Sequence, residues 1–228
     1  MKKLPVLIIV VVLVAAVAGG VFLMQKPSGG TPQPSPPGTQ GASSPARSAA
    51  DEAPPAHVRG RQDAPVMFEE FADFQCPTCG AMHGVVKQLV EKYPNQVGVA
   101  FRDFPLREMH KHAAEAARAA EAAGMQGKFW EMHDMLYDKQ AEWKDPDDAR
   151  TIFVGYAKSL GLDVQRFAND MDSSVVAMRV LADERRGQAL GVHATPTFFI
   201  NGRELQFEQS NTLDKLSAAV DAALAQHK

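Results

Sequence analysis

The chain has 228 residues, 45% of them hydrophobic and 22% charged, and a formal net charge of −3. That length suits one globular domain with appendages, and the charge offers no basic field for a polyanion, so no nucleic-acid partner is expected. Two cysteines, Cys76 and Cys79, exclude a multiply stapled mini-fold and a four-thiolate zinc site within one chain.

Met1-Lys2-Lys3 precedes an uncharged apolar run from Val6 to Met24, close to the roughly 20 residues that span a bilayer as a helix. Lysines at the near end stay cytoplasmic and send the downstream chain across the membrane. Residues 1–24 are therefore read as a membrane anchor or a signal sequence. Ala16-Val17-Ala18 fits a cleavage site, whereas the apolar run continuing past Gly19-Gly20 favours an uncleaved anchor. Either reading puts the catalytic domain on the extracytoplasmic side, membrane-anchored in one case and secreted in the other. Residues 25–57, rich in Pro, Gly, Ser and Ala, lack the apolar side chains needed to offset ordering entropy and are read as a flexible linker.

Residues 58–228 are read as the globular domain. Val66 to Phe71 and Val97 to Phe101 have strand character. Between them, Cys76 to Tyr93 carries Met82, Val85, Val86 and Leu89 at helical spacing, which makes a βαβ unit. Helices are expected over His110–Ala123, Lys128–Tyr137, Ala149–Leu160 and Ser173–Leu190, with Asp147 and Asp163 as capping or first-turn residues. Thr197 to Ile200 is a short strand, Asn201-Gly202 a hairpin turn and Glu204 to Phe207 the return. Leu213, Leu216, Val220 and Leu224 then form the stripe of a last helix. The expected class is α/β, a central mixed sheet interrupted by an all-helical insertion over about residues 107–190.

The chemistry lies in Cys76-Pro77-Thr78-Cys79. A bond between thiols three positions apart closes a tiny loop and constrains the unfolded chain little, so a redox role outweighs a structural staple. Placed after a strand and at the start of a helix, Cys76 meets unpaired backbone N–H groups and the positive end of the helix dipole, both of which favour a thiolate. A lowered thiol pKa makes Cys76 the attacking nucleophile and a good leaving group. Cys79, one turn further, is the resolving thiol, and Pro77 suits the first turn, where its missing N–H removes no bond. Zinc held by the cysteines with two of His83, His110, His112 and His133 lacks a finger-like spacing, so no metal and no cofactor is expected. Phe129, Trp130 and Trp143 are read as core residues, and His110 and His112 as an exposed helix face.

The segment Glu70-Phe71-Ala72-Asp73-Phe74-Gln75-Cys76-Pro77-Thr78-Cys79-Gly80 resembles the active-site strand and helix of DsbA-like thiol:disulfide oxidoreductases of the thioredoxin superfamily. Phe104-Pro105-Leu106 and Gly127 to Asp134 resemble the insertion of the thioredoxin_4 and BdbD-like branch, and Gly191 to Gly202 its cis-proline loop. The resemblance implies a thioredoxin-like fold, a cis bond before Pro196, and the Thr195 backbone beside Cys76, ready to pair with a substrate strand. It also implies that Glu70 is the buried acid that takes the Cys79 proton. From the residues alone, Glu70 is either that acid, with Glu69 facing out, or a solvated strand-edge glutamate. Thr78 stands where strongly oxidising relatives carry histidine, so a less depressed Cys76 pKa and a milder oxidant are expected.

The function implied is oxidation of exported protein thiols through a Cys76 mixed disulfide, with reoxidation by a quinone-linked membrane partner of the DsbB type. The alternatives are a membrane-tethered reductase or isomerase, and a non-catalytic peptide-binding chaperone or adaptor of the same fold.

Overall fold

The computed structural model describes residues 57–226. The apolar run at 1–24 and nearly all of the linker therefore lie outside the described residues. No helix among the described residues is long and apolar enough to cross a membrane.

Strands β1 (His57–Gly60) and β2 (Val66–Ala72) flank β3 (Val97–Asp103) and pair with it. The β2–β3 pair is parallel, from Val66 opposite Val97 to Ala72 opposite Asp103. It requires a crossover, which α1 (Pro77–Lys92) supplies. β1 was not expected. It has four residues and no apolar alternation, and it pairs antiparallel on the outer edge of β3, where His57, read above as linker, lies opposite Phe101. On the other side β4 (Thr197–Ile200) pairs antiparallel with β2, and β5 (Arg203–Leu205) closes the order β1-β3-β2-β4-β5. Asn201 and Gly202 take φ of 47° and 80°, the paired positive values of a two-residue hairpin turn. The return strand ends at Leu205, and Phe207–Gln209 is a 3₁₀ turn.

Between β3 and β4 the regular elements are all helices: α2 (Ala113–Gly124), α3 (Phe129–Asp138), α4 (Gln140–Trp143), α5 (Ala149–Ser159), α6 (Val164–Asp172) and α7 (Ser174–Ala189). The last helix is α8 (Leu213–Ala225). Helices α4 and α6 are additions to the sequence reading. The cap of α5 is Asp148, not Asp147: its carboxylate accepts from the Thr151 N–H, as Asp163 does from Arg166 at the start of α6. His110 and His112 lie outside any helix, because α2 begins only at Ala113.

Alternation along the strands divides the core. One face presents Val66, Phe68, Val97, Val99, Phe198 and Ile200 to Met82, Val86 and Leu89 of α1 and to Leu216 and Val220 of α8. The opposite face packs Phe71 and Phe199 with Phe104 and Val192. It is overlaid by α7, where a Cβ at Gly187 would stand 2.7 Å from the Phe104 ring. The core of the insertion, the alanines of α2 packed with Met132, Leu136, Trp143, Phe153, Phe167 and Met171, is continuous with Ala72, Phe74, Cys79 and Phe101 of the sheet and active-site turn. Burying each such large side chain contributes about 1.5–3 kcal/mol. Phe129 and Trp143 are core residues as expected, whereas Trp130 sits at its margin under the Arg59 guanidinium, 4.3 Å from the ring centroid.

Candidate active site

The turn from β2 into α1 places Cys76 at the N-cap in an extended conformation and Pro77 in the first turn, with no acidic side chain there to oppose a thiolate. Cys76 and Cys79 are free thiols, and both are buried. The Asp73 carboxylate organises the turn: Oδ1 accepts from the Gln75 N–H at 2.7 Å, and Oδ2 meets the Leu106 N–H and His110 Nδ1, each at 2.8 Å. Two glutamines strap this turn to the insertion. Gln75 accepts from the His112 N–H at 2.7 Å and donates to the Lys144 carbonyl at 2.8 Å. Gln140 Nε2 donates to the carbonyls of Phe74 and Cys76 at 2.7 and 3.0 Å. A Cβ at Gly80 would lie 3.1 Å from Gln140, so the glycine makes room for that strap. His110 and His112 thus hold the active-site turn rather than line an exposed helix face. His112 is buried, with Nε2 2.6 Å from the Pro146 carbonyl.

The two thiols are electrostatically unlike. Hydrogen bonding from the Cys79 thiol, then from the backbone N–H of Cys79, the Thr195 hydroxyl and the Thr78 N–H, outweighs burial and brings Cys76 down to about 5. Burial pushes Cys79 well above the ordinary thiol range, and the neighbouring Cys76 sulfur and Glu70 push it the same way. The Thr195–Pro196 peptide is cis. The Thr195 carbonyl accepts from protonated Cys76 Sγ at 3.4 Å, and its hydroxyl, buried without another partner, is left for the thiolate. Thr78, Thr195, Pro196 and Phe207 line a groove of about 420 Å³ beside the pair. A larger groove of about 570 Å³ between β5 and α8 contains none of these residues.

Glu70 is buried on the α1 face, between Phe101 on β3 and Phe198 on β4. Burial drives its carboxyl up to about 8, with Arg59 opposing. The strand-edge alternative is thereby removed. Glu69 does not face water either. On the other face it meets Arg102 Nε and Arg186 Nε, each at 2.7 Å. Among the described residues, no cluster of three or more ligand-type side chains includes Cys76 or Cys79. Sequence reasoning missed Asp73, Gln75 and Gln140. The first two adjoin the motif, but their partners come from loops and helices 30 or more positions away, and adjacency was the only available signal.

The Thioredoxin_4 family model, described as thioredoxin, matches residues 52–222. Among curated proteins, the chain is 41% identical over 169 residues to the Na(+)/H(+) antiporter NhaA 1 of Salinispora arenicola, a match covering 74% of this chain and 25% of that protein. The chain thus spans about a quarter of the length of the curated relatives it matches. Among solved structures, a thioredoxin-like oxidoreductase from Silicibacter pomeroyi superposes with a TM-score of 0.66 at 27% identity, covering 78% of this chain and 98% of that one. BdbD from Bacillus subtilis shares the fold with a TM-score of 0.65 at 23% identity over 74% of this chain and 92% of its own. The chain belongs to the Thioredoxin_4 family, and its fold is that of the DsbA- and BdbD-like thiol–disulfide oxidoreductases.

Proposed function

We propose that this protein exchanges disulfides with the thiols of exported proteins through a mixed disulfide at Cys76, working as an oxidase outside the cytoplasm. A substrate thiolate attacks Cys76 of the Cys76–Cys79 disulfide. The Cys76–substrate bond forms, the Cys76–Cys79 bond breaks, and Cys79 leaves as a thiolate that takes a proton from Glu70. A second substrate thiolate then closes the substrate disulfide and releases Cys76 as a thiolate. Thr195 and cis-Pro196 hold the substrate strand beside the sulfur, and Thr78 and Phe207 border it. A DsbB-like membrane partner takes the electrons from the reduced pair.

The observation that carries this reading is the asymmetry of the pair. Cys76 at about 5 falls between the roughly 7 of thioredoxin and the roughly 3.5 of DsbA. A stabilised thiolate favours the dithiol, which makes the disulfide oxidising, and Thr78 in place of histidine fits a milder oxidant than DsbA. The apolar run before Met24 and the usefulness of disulfides outside the cytoplasm support the extracytoplasmic placement.

Two measurements test the reading. Cys79→Ala should accumulate a substrate-linked species through Cys76, and Cys76→Ala should abolish it. Substrate binding that survives intact in Cys76→Ala with no exchange in the wild type would make the chain a chaperone or adaptor. The equilibrium potential against glutathione should lie well above thioredoxin's roughly −270 mV, and a value at or below it would make the chain a reductase.

A further inference from the structure

The sheet face beneath α1 holds polar groups that, Glu70 apart, the exchange steps leave unused. Arg59, Glu70, His83, Lys87, His133 and Tyr137 line a cavity of about 10 Å³, room for about one water molecule. Nε2 of His133 and the Tyr137 hydroxyl are buried without a hydrogen-bond partner. Among the described residues nothing hydrogen-bonds or ion-pairs with the Glu70 carboxyl either. Buried polar groups are almost always satisfied, by protein or by ordered water, and these three converge on one water-sized space.

His133 is oriented as a two-ended group. Its Nδ1 lies 2.9 Å from Asp134 Oδ1, which leaves the Nε2 lone pair for the cavity. Asp134 is a quarter exposed, held by Arg59 at 2.5 Å and faced by Lys87 at 3.9 Å, so it joins the ring to solvent. His83 of α1 lies 3.6 Å from Asp138 and 3.9 Å from Asp134. Burial holds His133 down to about 4, so the ring is neutral near pH 7. Tyr137, pushed well up by burial, keeps its proton, with Cys79, Glu70, Asp73 and Cys76 adding to that effect.

We propose that this cavity holds a water joining Glu70 to Nε2 of His133, and that His133 relays the Cys79 proton between Glu70 and the solvent-facing Asp134. The proposal rests on the exchange reading above. On reoxidation the Cys79 proton passes to Glu70, to the water and to Nε2, while the Nδ1 proton leaves through Asp134. When substrate is oxidised, Nε2 returns a proton through the water and Glu70 to the Cys79 thiolate, and Nδ1 takes one back from the Asp134 side. One proton out and one in restores the starting tautomer without rotating the ring. His133 is a positioning residue in this scheme, acting on the sulfur only through Glu70.

The test is stopped-flow measurement of the Cys79 step in the full chain, in light and heavy water, with a cysteine-containing peptide as the substrate. His133→Phe keeps the ring packed against Phe101 and Trp130. It should slow that step roughly tenfold, against the roughly hundredfold or more lost when the proton-exchanging group itself is removed. The solvent isotope effect should rise while the Cys76 titration and the equilibrium potential stay at their wild-type values. Wild-type rate and isotope effect in this variant would overturn the relay, as would a loss of rate matched by a shifted Cys76 titration. If His133→Phe does not fold, His133→Gln, which keeps a polar group at the cavity but has no pair of ring nitrogens to pass a proton between, decides: a slower, more isotope-sensitive step supports the relay, and an unchanged one overturns it. A mixed disulfide that forms normally while both variants behave as wild type would sink the relay alone. No mixed disulfide in the wild type would sink the exchange reading instead.

Discussion

Glu69 and Glu70 are adjacent on β2, yet the two faces of the sheet treat them oppositely. Burial pushes up the carboxyl of Glu69, but Arg186 and Arg102 outweigh it and hold the group below its ordinary range. Burial pushes Glu70 up to about 8, and the more distant Arg59 does not reverse it. Arg102 also binds Asp183 at 2.8 Å, where burial nevertheless leaves the carboxyl above its ordinary range. The comparison teaches that depth alone does not mark a working carboxylate. At Glu69 two guanidinium partners hold the charge against burial, whereas Glu70, denied them, sits near neutrality, where it can give and take a proton. Of the two, the unpartnered acid is the one whose charge is felt by Cys79.

The largest expected effect comes from breaking the paired face. Arg102→Met strips a partner from both Glu69 and Asp183 and should cost about 3–5 kcal/mol in urea unfolding. The exchange rate of the folded fraction should stay unchanged; a large rate loss would erase the division of labour. Next comes the unpaired face. Glu70→Gln should slow the Cys79 step roughly hundredfold, about 2.7 kcal/mol, in rapid-mixing kinetics.

The same variant tests the pH consequence. The folded pKa of Glu70 lies above its unfolded value, so the native state binds more protons between about 4.5 and about 8. Stability from this group is therefore full below 4.5 and is lost as pH rises through 8, on the order of a few kcal/mol. Glu70→Gln should flatten that part of the stability profile, and an unaltered slope would mean that Glu70 titrates normally. The smallest effect belongs to Thr195→Val, which keeps shape but removes the hydroxyl. Cys76 should titrate about one unit higher, worth about 1.4 kcal/mol, by thiolate absorbance.

Much of this was legible because it is local. Cys76 and Cys79 declare themselves by lying between an alternating strand and an amphipathic helix, and Asn201-Gly202 by its turn chemistry. Pro196 and Glu70 needed the family resemblance, since nothing near Glu70 distinguishes it from Glu69. What decides between them is the arginine on α7, 117 positions away. His110 and His112 misled because the alanine run after them reads as one continuous helix, whereas Asp73, Gln75 and the Pro146 carbonyl claim their polar groups first. β1 escaped notice because a four-residue edge strand needs only a neighbour, not an apolar pattern.

The central claim is that one thiol of the pair is a thiolate at neutral pH and the other is not. Ultraviolet thiolate absorbance of the reduced protein, titrated with Cys76→Ala as the blank, measures this directly. The account predicts a single-thiol transition near pH 5 that vanishes in Cys76→Ala, with Cys79 still protonated at pH 9. Two thiols titrating together near 9 would contradict it.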